Sequence, residues 1–149
     1  MASANDVAAY ILNKCERMSA MKLQKLVYYC QAWSLVWDDR PLFPERIEAW
    51  ANGPVVPDLY EQHRGNFDVC AWPSGNPEHL DAAARETVDA VLKSYSPHSA
   101  QWLSDLTHTE RPWRDARAGL DDSDRGNHEI TLEALAEYYS SLDRNGKEF

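Results

Sequence analysis

The hydrophobic residues of this chain recur mainly every three or four positions, the spacing that places side chains on one face of an α-helix. The first such segment is predicted to begin at the cap Ser3, with Asp6 three residues later in an imperfect capping box. Val7, Tyr10 and Ile11 then share one face. The pattern therefore predicts an amphipathic helix at the start of the chain.

A second helix is predicted to begin at the cap Ser19, and it is apolar on several sides. Its main stripe consists of Leu23, Leu26, Val27, Cys30 and Trp37, and further apolar side chains are Tyr28, Tyr29, Ala32, Leu35 and Val36. Such a helix is packed by neighbours on several sides. We therefore expect it at the centre of the fold, and not as the exposed basic helix with which a helix-turn-helix protein reads DNA.

The spacing of hydrophobic residues changes after Pro41 and Pro44, which end the helical region. Side chains alternate in character over residues 46–51, which favours a short strand. Asn52-Gly53-Pro54 is typical of a turn, and Pro57 suits the first position of a short helix that ends at Gly65. The region predicts one small strand or β-turn element around residues 46–56.

Helical spacing returns in the second half of the chain. The predicted inward positions are Leu80, Ala84, Thr87, Val88, Val91 and Tyr95 in one helix, and Trp102, Leu103 and Leu106 in the next, which Ser99 caps. A last helix is predicted from the cap Thr131, with Ile130 and Leu135 forming a hydrophobic staple. The expected fold class is mainly α (α+β): one compact helical domain over residues 1–149, with its core at about 5–142.

The stretch LSDLTHTERPWRDAR, residues 103–117, predicts a bend between two helices. His108 falls in a last turn, where the helix dipole favours it, and Thr109 is suited to cap the following helix. Pro112 is tolerated in a first turn, and Gly119 is placed to end that helix. Every residue thus has a structural role, and no catalytic residue is predicted. A general base at His108 would need a partner from elsewhere in the fold.

Composition and charge narrow the function classes. With 44% apolar residues, six Trp and seven Tyr, the chain is not disordered, and we see neither a secretory signal nor a membrane-spanning run. A cytoplasmic protein is expected. Fifteen Lys and Arg against 24 Asp and Glu give a net charge of −9, which repels a phosphate backbone. DNA binding is therefore not expected, whereas a basic protein partner would suit this charge.

Metal and cofactor binding are not expected. The three cysteines, Cys15, Cys30 and Cys70, are widely spaced and odd in number, which is typical of reduced, apolar side chains. The histidines include no His-x-x-x-His pair. Prolines near Gly53 remove backbone donors that a phosphate cradle would need.

Aromatic and aliphatic residues at predicted loops and element ends leave two interpretations open. They are Trp50, Val55, Val56, Tyr60, Trp72 and Trp113. Exposed Trp and Tyr dominate binding hot spots, with truncation costs of ~2 kcal/mol or more, but the same residues also fold over a core. Composition alone predicts a helical, non-catalytic domain that binds another molecule.

Three blocks of sequence together resemble one protein family. They are MKLQKLVYYCQAW at 21–33, EAWANGPVVPDLYEQHRG at 48–65 and LSDLTHTERPW at 103–113. In this order they resemble the Panacea domain, also described as phage-associated GepA-like or SocA-like proteins. The resemblance covers roughly residues 5–139, and the Gly-Pro-Val-Val-Pro-x-Leu-Tyr and Thr-His-x-x-x-Pro-Trp blocks together are specific.

The resemblance implies an antitoxin without enzymatic activity. It would neutralise, by direct binding, a growth- or translation-inhibiting toxin encoded by the adjacent gene. Signature residues that hold the fold or touch the toxin are Gly53, Pro54, Pro57, His108 and Pro112, and the candidates for toxin contact are Trp50, Asn52, Val55, Val56, Tyr60 and Trp113. No separate DNA-binding domain is expected. Two alternatives stay open: a proteolytic adaptor for the toxin, and a small His-dependent hydrolase or transferase.

Overall fold

The computed structural model describes residues 1–121 and 124–144 and has the predicted mainly α (α+β) fold. The helices of these residues are α1 (Ala4–Cys15), α2 (Ala20–Trp37), α3 (Pro57–His63), α4 (Ala82–Tyr95), α5 (Ala100–Thr109), α6 (Arg111–Ala116) and α7 (Leu132–Arg144). The strands are β1 (Met18–Ser19), β2 (Ile47–Trp50), β3 (Gly53–Val55), β4 (Asp68–Val69) and β5 (Glu129–Ile130). Residues 122–123 and 145–149, which the single-domain prediction includes, lie outside this description.

The predicted caps of α1 and α2 are confirmed. The Ser3 hydroxyl accepts a hydrogen bond from the Asp6 amide at 3.1 Å, and the Asp6 carboxylate accepts one from the Ser3 amide at 2.9 Å. This is a complete capping box. The Ser19 hydroxyl accepts from the Lys22 amide at 3.1 Å and so caps α2.

α2 lies at the centre of the fold, as its apolar circumference predicts. It packs against α1, α4, α5 and α7, and its side chains from Leu23 to Ser34 are buried. Trp37, at its end, is the exception within the predicted stripe, with 39% of its surface exposed. The Trp37 ring still stacks on Trp33, with ring centroids 5.0 Å apart.

The predicted strand is confirmed as β2, the middle strand of a three-stranded antiparallel sheet in the order β3-β2-β5. The predicted turn is displaced, because Gly53 and Pro54 belong to β3 and the turn consists of Ala51 and Asn52. Trp50 pairs with Gly53 across the hairpin. The two-residue strands β1, β4 and β5 were not predicted, since each is defined only by pairing with a distant segment.

The bend after α5 is confirmed, but its details differ from the prediction. Thr109 is the last residue of α5, and Glu110 is the residue that precedes α6. α6 ends at Ala116, before Gly119. Trp102, predicted to point inward, is 45% exposed and stacks on the His98 ring instead.

The predicted faces of the remaining helices hold for the most part. The whole predicted face of α4 is buried, from Leu80 to Tyr95. The Thr131 hydroxyl accepts from the Ala134 amide at 3.1 Å and caps α7, while the staple residues Ile130 and Leu135 are both buried. None of the helices in the described ranges is long and apolar enough to cross a membrane.

Candidate functional site

A pocket of about 440 Å³ opens between α2, the β2–β3 hairpin and α3, and we call it the hairpin pocket. Its lining consists of Met21, Gln24, Lys25, Trp50, Ala51, Asn52, Val55, Tyr60, His63 and Arg125. Four of these, Trp50, Asn52, Val55 and Tyr60, are among the residues predicted to contact a toxin. The structure therefore brings together two-thirds of that predicted set.

The aromatic part of the hairpin pocket is formed by Trp50 and Tyr60, which are both half-buried. Their rings meet edge to face, with centroids 5.1 Å apart. The Trp50 indole N–H donates to the Glu48 carboxylate at 2.8 Å, and the Arg125 guanidinium lies 5.2 Å from the Trp50 ring centroid. These contacts hold a large, partly exposed apolar surface in one orientation.

Lys25 lines the same pocket from the interior of α2, although its residue surface is only 2% exposed. Burial disfavours the charged amine and lowers the pKa of Lys25 to about 8. Within residues 1–121 and 124–144, no carboxylate pairs with this ammonium and no acceptor hydrogen-bonds to it. A buried cation without an anionic partner is rare in folded proteins.

Gly53 makes room for this lysine. A Cβ atom at Gly53 would lie 2.5 Å from Lys25 Cε and 3.1 Å from Lys25 Nζ. The φ angle of Gly53 is +124°, in a region that is essentially restricted to glycine. The family-signature glycine thus fits both the backbone of the hairpin and the passage of the Lys25 side chain.

Gln24 and His63 form a neutral wall beside Lys25. The Gln24 amide accepts from the Val56 N–H at 2.8 Å and donates to the Val56 carbonyl at 3.2 Å. Its nitrogen lies 3.1 Å from His63 Nε2. Because that nitrogen is a donor, His63 Nε2 must accept, which requires a neutral ring. Burial, and then the nearby Lys25 charge, keep the pKa of His63 below its usual value.

The two remaining toxin-contact candidates lie inside the protein. Val56 is fully buried and Trp113 is 6% exposed. The Trp113 indole N–H donates to the backbone carbonyl of Trp50 at 2.8 Å, and the His108 ring stacks on Trp113 with centroids 4.0 Å apart. Pro112, beside them, is buried as well. Trp113, stacked on His108, thus supports the hairpin through the Trp50 backbone, and neither residue lines the pocket.

Arg117 positions the loop that carries Arg125, a role that sequence analysis did not predict. Its guanidinium is buried and donates to the carbonyls of Ala49 at 3.0 Å and Arg125 at 3.1 Å. It also donates to the carbonyls of Asp121 and Asp124. The Arg117 side chain therefore connects this loop to β2. Its burial could not be predicted, because arginine is usually an exposed residue and the groups that bind it here are backbone carbonyls.

Glu110 is a further interior charge that sequence analysis missed. Its carboxylate accepts from the hydroxyls of Tyr29 and Tyr139, both at 2.7 Å, and the Tyr28 hydroxyl lies 3.1 Å from that of Tyr139. Burial raises the pKa of Glu110 to about 7, while the hydrogen bonds from Tyr139 and Tyr29 act in the opposite direction. This cluster joins α2, the α5–α6 bend and α7, and lies outside the hairpin pocket.

A metal-dependent site finds no support in the part of the chain that the structure describes. No group of three or more His, Cys, Asp and Glu side chains there could hold a metal ion. In the described lining of the hairpin pocket, moreover, the charged residues are the cations Lys25 and Arg125, which repel a metal ion.

The family described as "antitoxin SocA-like, Panacea domain" matches residues 23–114 of the chain. The chain belongs to this family. The match covers more than half of the chain and includes the whole β2–β3 hairpin, α3 and the α5–α6 bend. No curated protein and no solved structure matches. Membership in this antitoxin family supports an antitoxin role in general.

Proposed function

We propose that this antitoxin-family protein neutralises a toxin encoded by the adjacent gene through direct protein–protein contact, without chemistry of its own. Family membership supports the antitoxin role, and the hairpin pocket is the surface best suited to bind the toxin. Its half-exposed Trp50 and Tyr60 are of the residue types that contribute most to protein interfaces.

The position of the hairpin pocket in the fold supports this choice of surface. The pocket is lined mainly by the 48–65 block, and the 103–113 block lies directly behind it through the bond from Trp113 to the Trp50 carbonyl. The Ser104 hydroxyl also donates to the Asn52 carbonyl at 2.7 Å. A partner would therefore meet a surface that is already held in place, which lowers the entropy cost of binding.

Co-expression with the adjacent open reading frame tests this function. The neighbour alone should arrest growth, and the arrest should be relieved when this chain is produced with it. A tag on this chain should then recover both proteins in a fixed ratio. If growth is rescued but the toxin disappears from the cells, the chain is a proteolytic adaptor. If a folded His108→Ala variant loses rescue while still binding the toxin, a His-dependent activity is required.

Trp50→Ala should weaken toxin binding while the chain stays folded. The side chain is half-exposed, and the backbone carbonyl that accepts from Trp113 remains in the variant. Truncation of a hot-spot tryptophan costs ~2 kcal/mol, or about 30-fold in affinity, measurable by calorimetry with the purified toxin.

Trp102→Ala is the matched control for this experiment. Trp102 is 45% exposed, lies on α5 outside the hairpin pocket and stacks on His98. It should leave the toxin affinity unchanged. Equal losses for both variants, or none for Trp50→Ala, would place the interface elsewhere.

A further inference from the structure

Lys25 presents an electrostatic problem that the fold alone does not explain. The side chain is 2% exposed, in the middle of the central helix, and none of the described residues neutralises it. A methionine of similar length at this position would avoid the cost of burying a cation. The protein nevertheless places an ammonium group here and forms the hairpin around it with a glycine at 53.

Among residues 1–121 and 124–144, none of the carboxylates pairs with Lys25 as an internal partner. The described lining of the hairpin pocket contains neither Asp nor Glu. Gln24 is already hydrogen-bonded to the Val56 backbone and faces His63, and the Thr107 hydroxyl near Gly53 donates to the Ser104 carbonyl. The second charged group of the lining is Arg125, which is held against Trp50. Two cations thus face one largely apolar cavity.

We propose that the hairpin pocket is a carboxylate-binding site, in which Lys25 and Arg125 receive one acidic side chain of the toxin. This inference rests on the proposed function, since it names the chemistry by which the toxin is recognised. The free-energy cost of removing Lys25 from water is already part of the folding of the free protein. An entering carboxylate therefore gains the attraction of a cation that is already largely desolvated, and the main cost is its own desolvation.

The lining favours a single carboxylate within a polypeptide over a polyphosphate. Two cations cannot balance the charge of a nucleoside triphosphate, and the net charge of −9 opposes the approach of any polyanion. The walls formed by Met21, Val55, Trp50 and Tyr60 suit an apolar residue next to the acidic one. An acidic residue flanked by an aliphatic or aromatic neighbour on the toxin surface fits both parts of the pocket.

Lys25→Met separates this role from a structural one. The variant removes a buried charge and keeps most of the side-chain volume, so its melting temperature should equal or exceed that of the unaltered chain. Its affinity for the purified toxin should fall by about 30-fold or more, as for a desolvated charge pair that loses one member. Lys93→Met, on the exposed surface of α4, is the matched control and should change neither quantity.

A second experiment replaces acidic residues on the toxin, and its outcome does not depend on whether Lys25→Met folds. Each exposed Asp or Glu of the toxin is changed to its amide, and the affinity is measured against the unaltered chain. One change should reproduce the loss seen with Lys25→Met, and the same change should cost nothing further against Lys25→Met. If none of the amide variants binds more weakly, the carboxylate site is wrong.

Competition distinguishes a toxin carboxylate from a free anion. Sodium acetate and ATP are added to the complex at constant ionic strength. Saturable displacement by ATP, without any effect in the amide scan, would identify a small-anion site and overturn the proposal. Normal binding and rescue by a folded Lys25→Met variant would also overturn it while leaving the proposed function intact. If the unaltered chain binds no toxin, the proposed function fails and this inference with it.

Discussion

Four charged residues are buried within residues 1–121 and 124–144; Asp6 caps α1, and the other three each have a different environment. Arg117 is 5% exposed and is surrounded by backbone carbonyls, while Glu110 is 6% exposed and accepts from tyrosine hydroxyls. Lys25, at 2% exposed, has neither arrangement. Charged groups are found in protein interiors where hydrogen bonds, an opposite charge or a bound ligand offset the cost of their burial. This contrast supports the binding role proposed for Lys25, whereas Arg117 and Glu110 have partners within the fold.

Glu110 should make the stability of the protein depend on pH in a predictable direction. Burial raises the pKa of Glu110 to about 7 from 4.5 in the unfolded chain. The folded state therefore holds this proton more tightly than the unfolded state does. The resulting stabilisation is fully present below pH 4.5 and is lost as the pH rises through 7, a change of at most about 3 kcal/mol.

Comparison with Glu110→Gln isolates this effect, because a neutral amide does not titrate. The free energy of unfolding of the unaltered chain, minus that of Glu110→Gln, should decrease between pH 5 and pH 8 when both are measured by urea denaturation. Glu86→Gln, on the exposed surface of α4, serves as control and should give a constant difference. A constant difference for Glu110→Gln too would show that ionisation of Glu110 is not linked to folding.

Neither the burial of Glu110 nor that of Lys25 could be predicted from the sequence. In the sequence, Glu110 is suited to the positive end of the next helix, and Lys25 is one of two lysines among the apolar residues of the second helix. What moves the Glu110 side chain inward is Tyr139, 29 residues away, together with Tyr29 of the central helix. Such partners are defined only by the tertiary fold.

At the scale of the element, the β2–β3 hairpin depends on its glycine for two separate reasons. Gly53→Ala should destabilise the chain both because φ is +124° and because the new Cβ would lie 2.5 Å from Lys25 Cε. Backbone strain alone costs ~1–2 kcal/mol, and the steric conflict adds to it. The loss is measured as the change in the free energy of unfolding in urea.

Gly65→Ala is the matched control for the hairpin, since Gly65 has φ of +88° and nothing within 4 Å of its would-be Cβ. Gly65→Ala should cause backbone strain but no steric conflict. Gly53→Ala should therefore lower the free energy of unfolding by more than Gly65→Ala does. Lys25→Ala should relieve part of the Gly53→Ala cost when the two are combined. Equal costs for the two glycine variants would mean that the Lys25 side chain leaves the space beside Gly53 at little cost.

Most elements with local signals were predicted correctly, whereas those that depend on distant pairing were not. Ser3, Ser19 and Thr131 begin helices because their hydroxyls accept from amides three residues later. β5 exists only because Ile130 pairs with Ile47 across the sheet. The assignment of Thr109 as a cap failed because α5 continues through it and α6 follows at once.

At the scale of the whole molecule, the fold brings two separated sequence blocks into contact at the candidate site. The resemblance identified the 48–65 and 103–113 blocks but did not show that one lies behind the other. The hydrogen bonds from Trp113 to the Trp50 carbonyl and from Ser104 to the Asn52 carbonyl make that connection. Arg125 comes from outside the family match, so the cationic part of the hairpin pocket combines family and non-family segments.

Titration of the purified toxin with this purified chain, in the absence of any protease, is the most direct test of the central claim. Toxin activity should fall in proportion to the added chain and reach zero at a fixed molar ratio, with a complex of the same ratio in size-exclusion chromatography. Undiminished toxin activity at a large excess of folded chain would contradict neutralisation by direct binding.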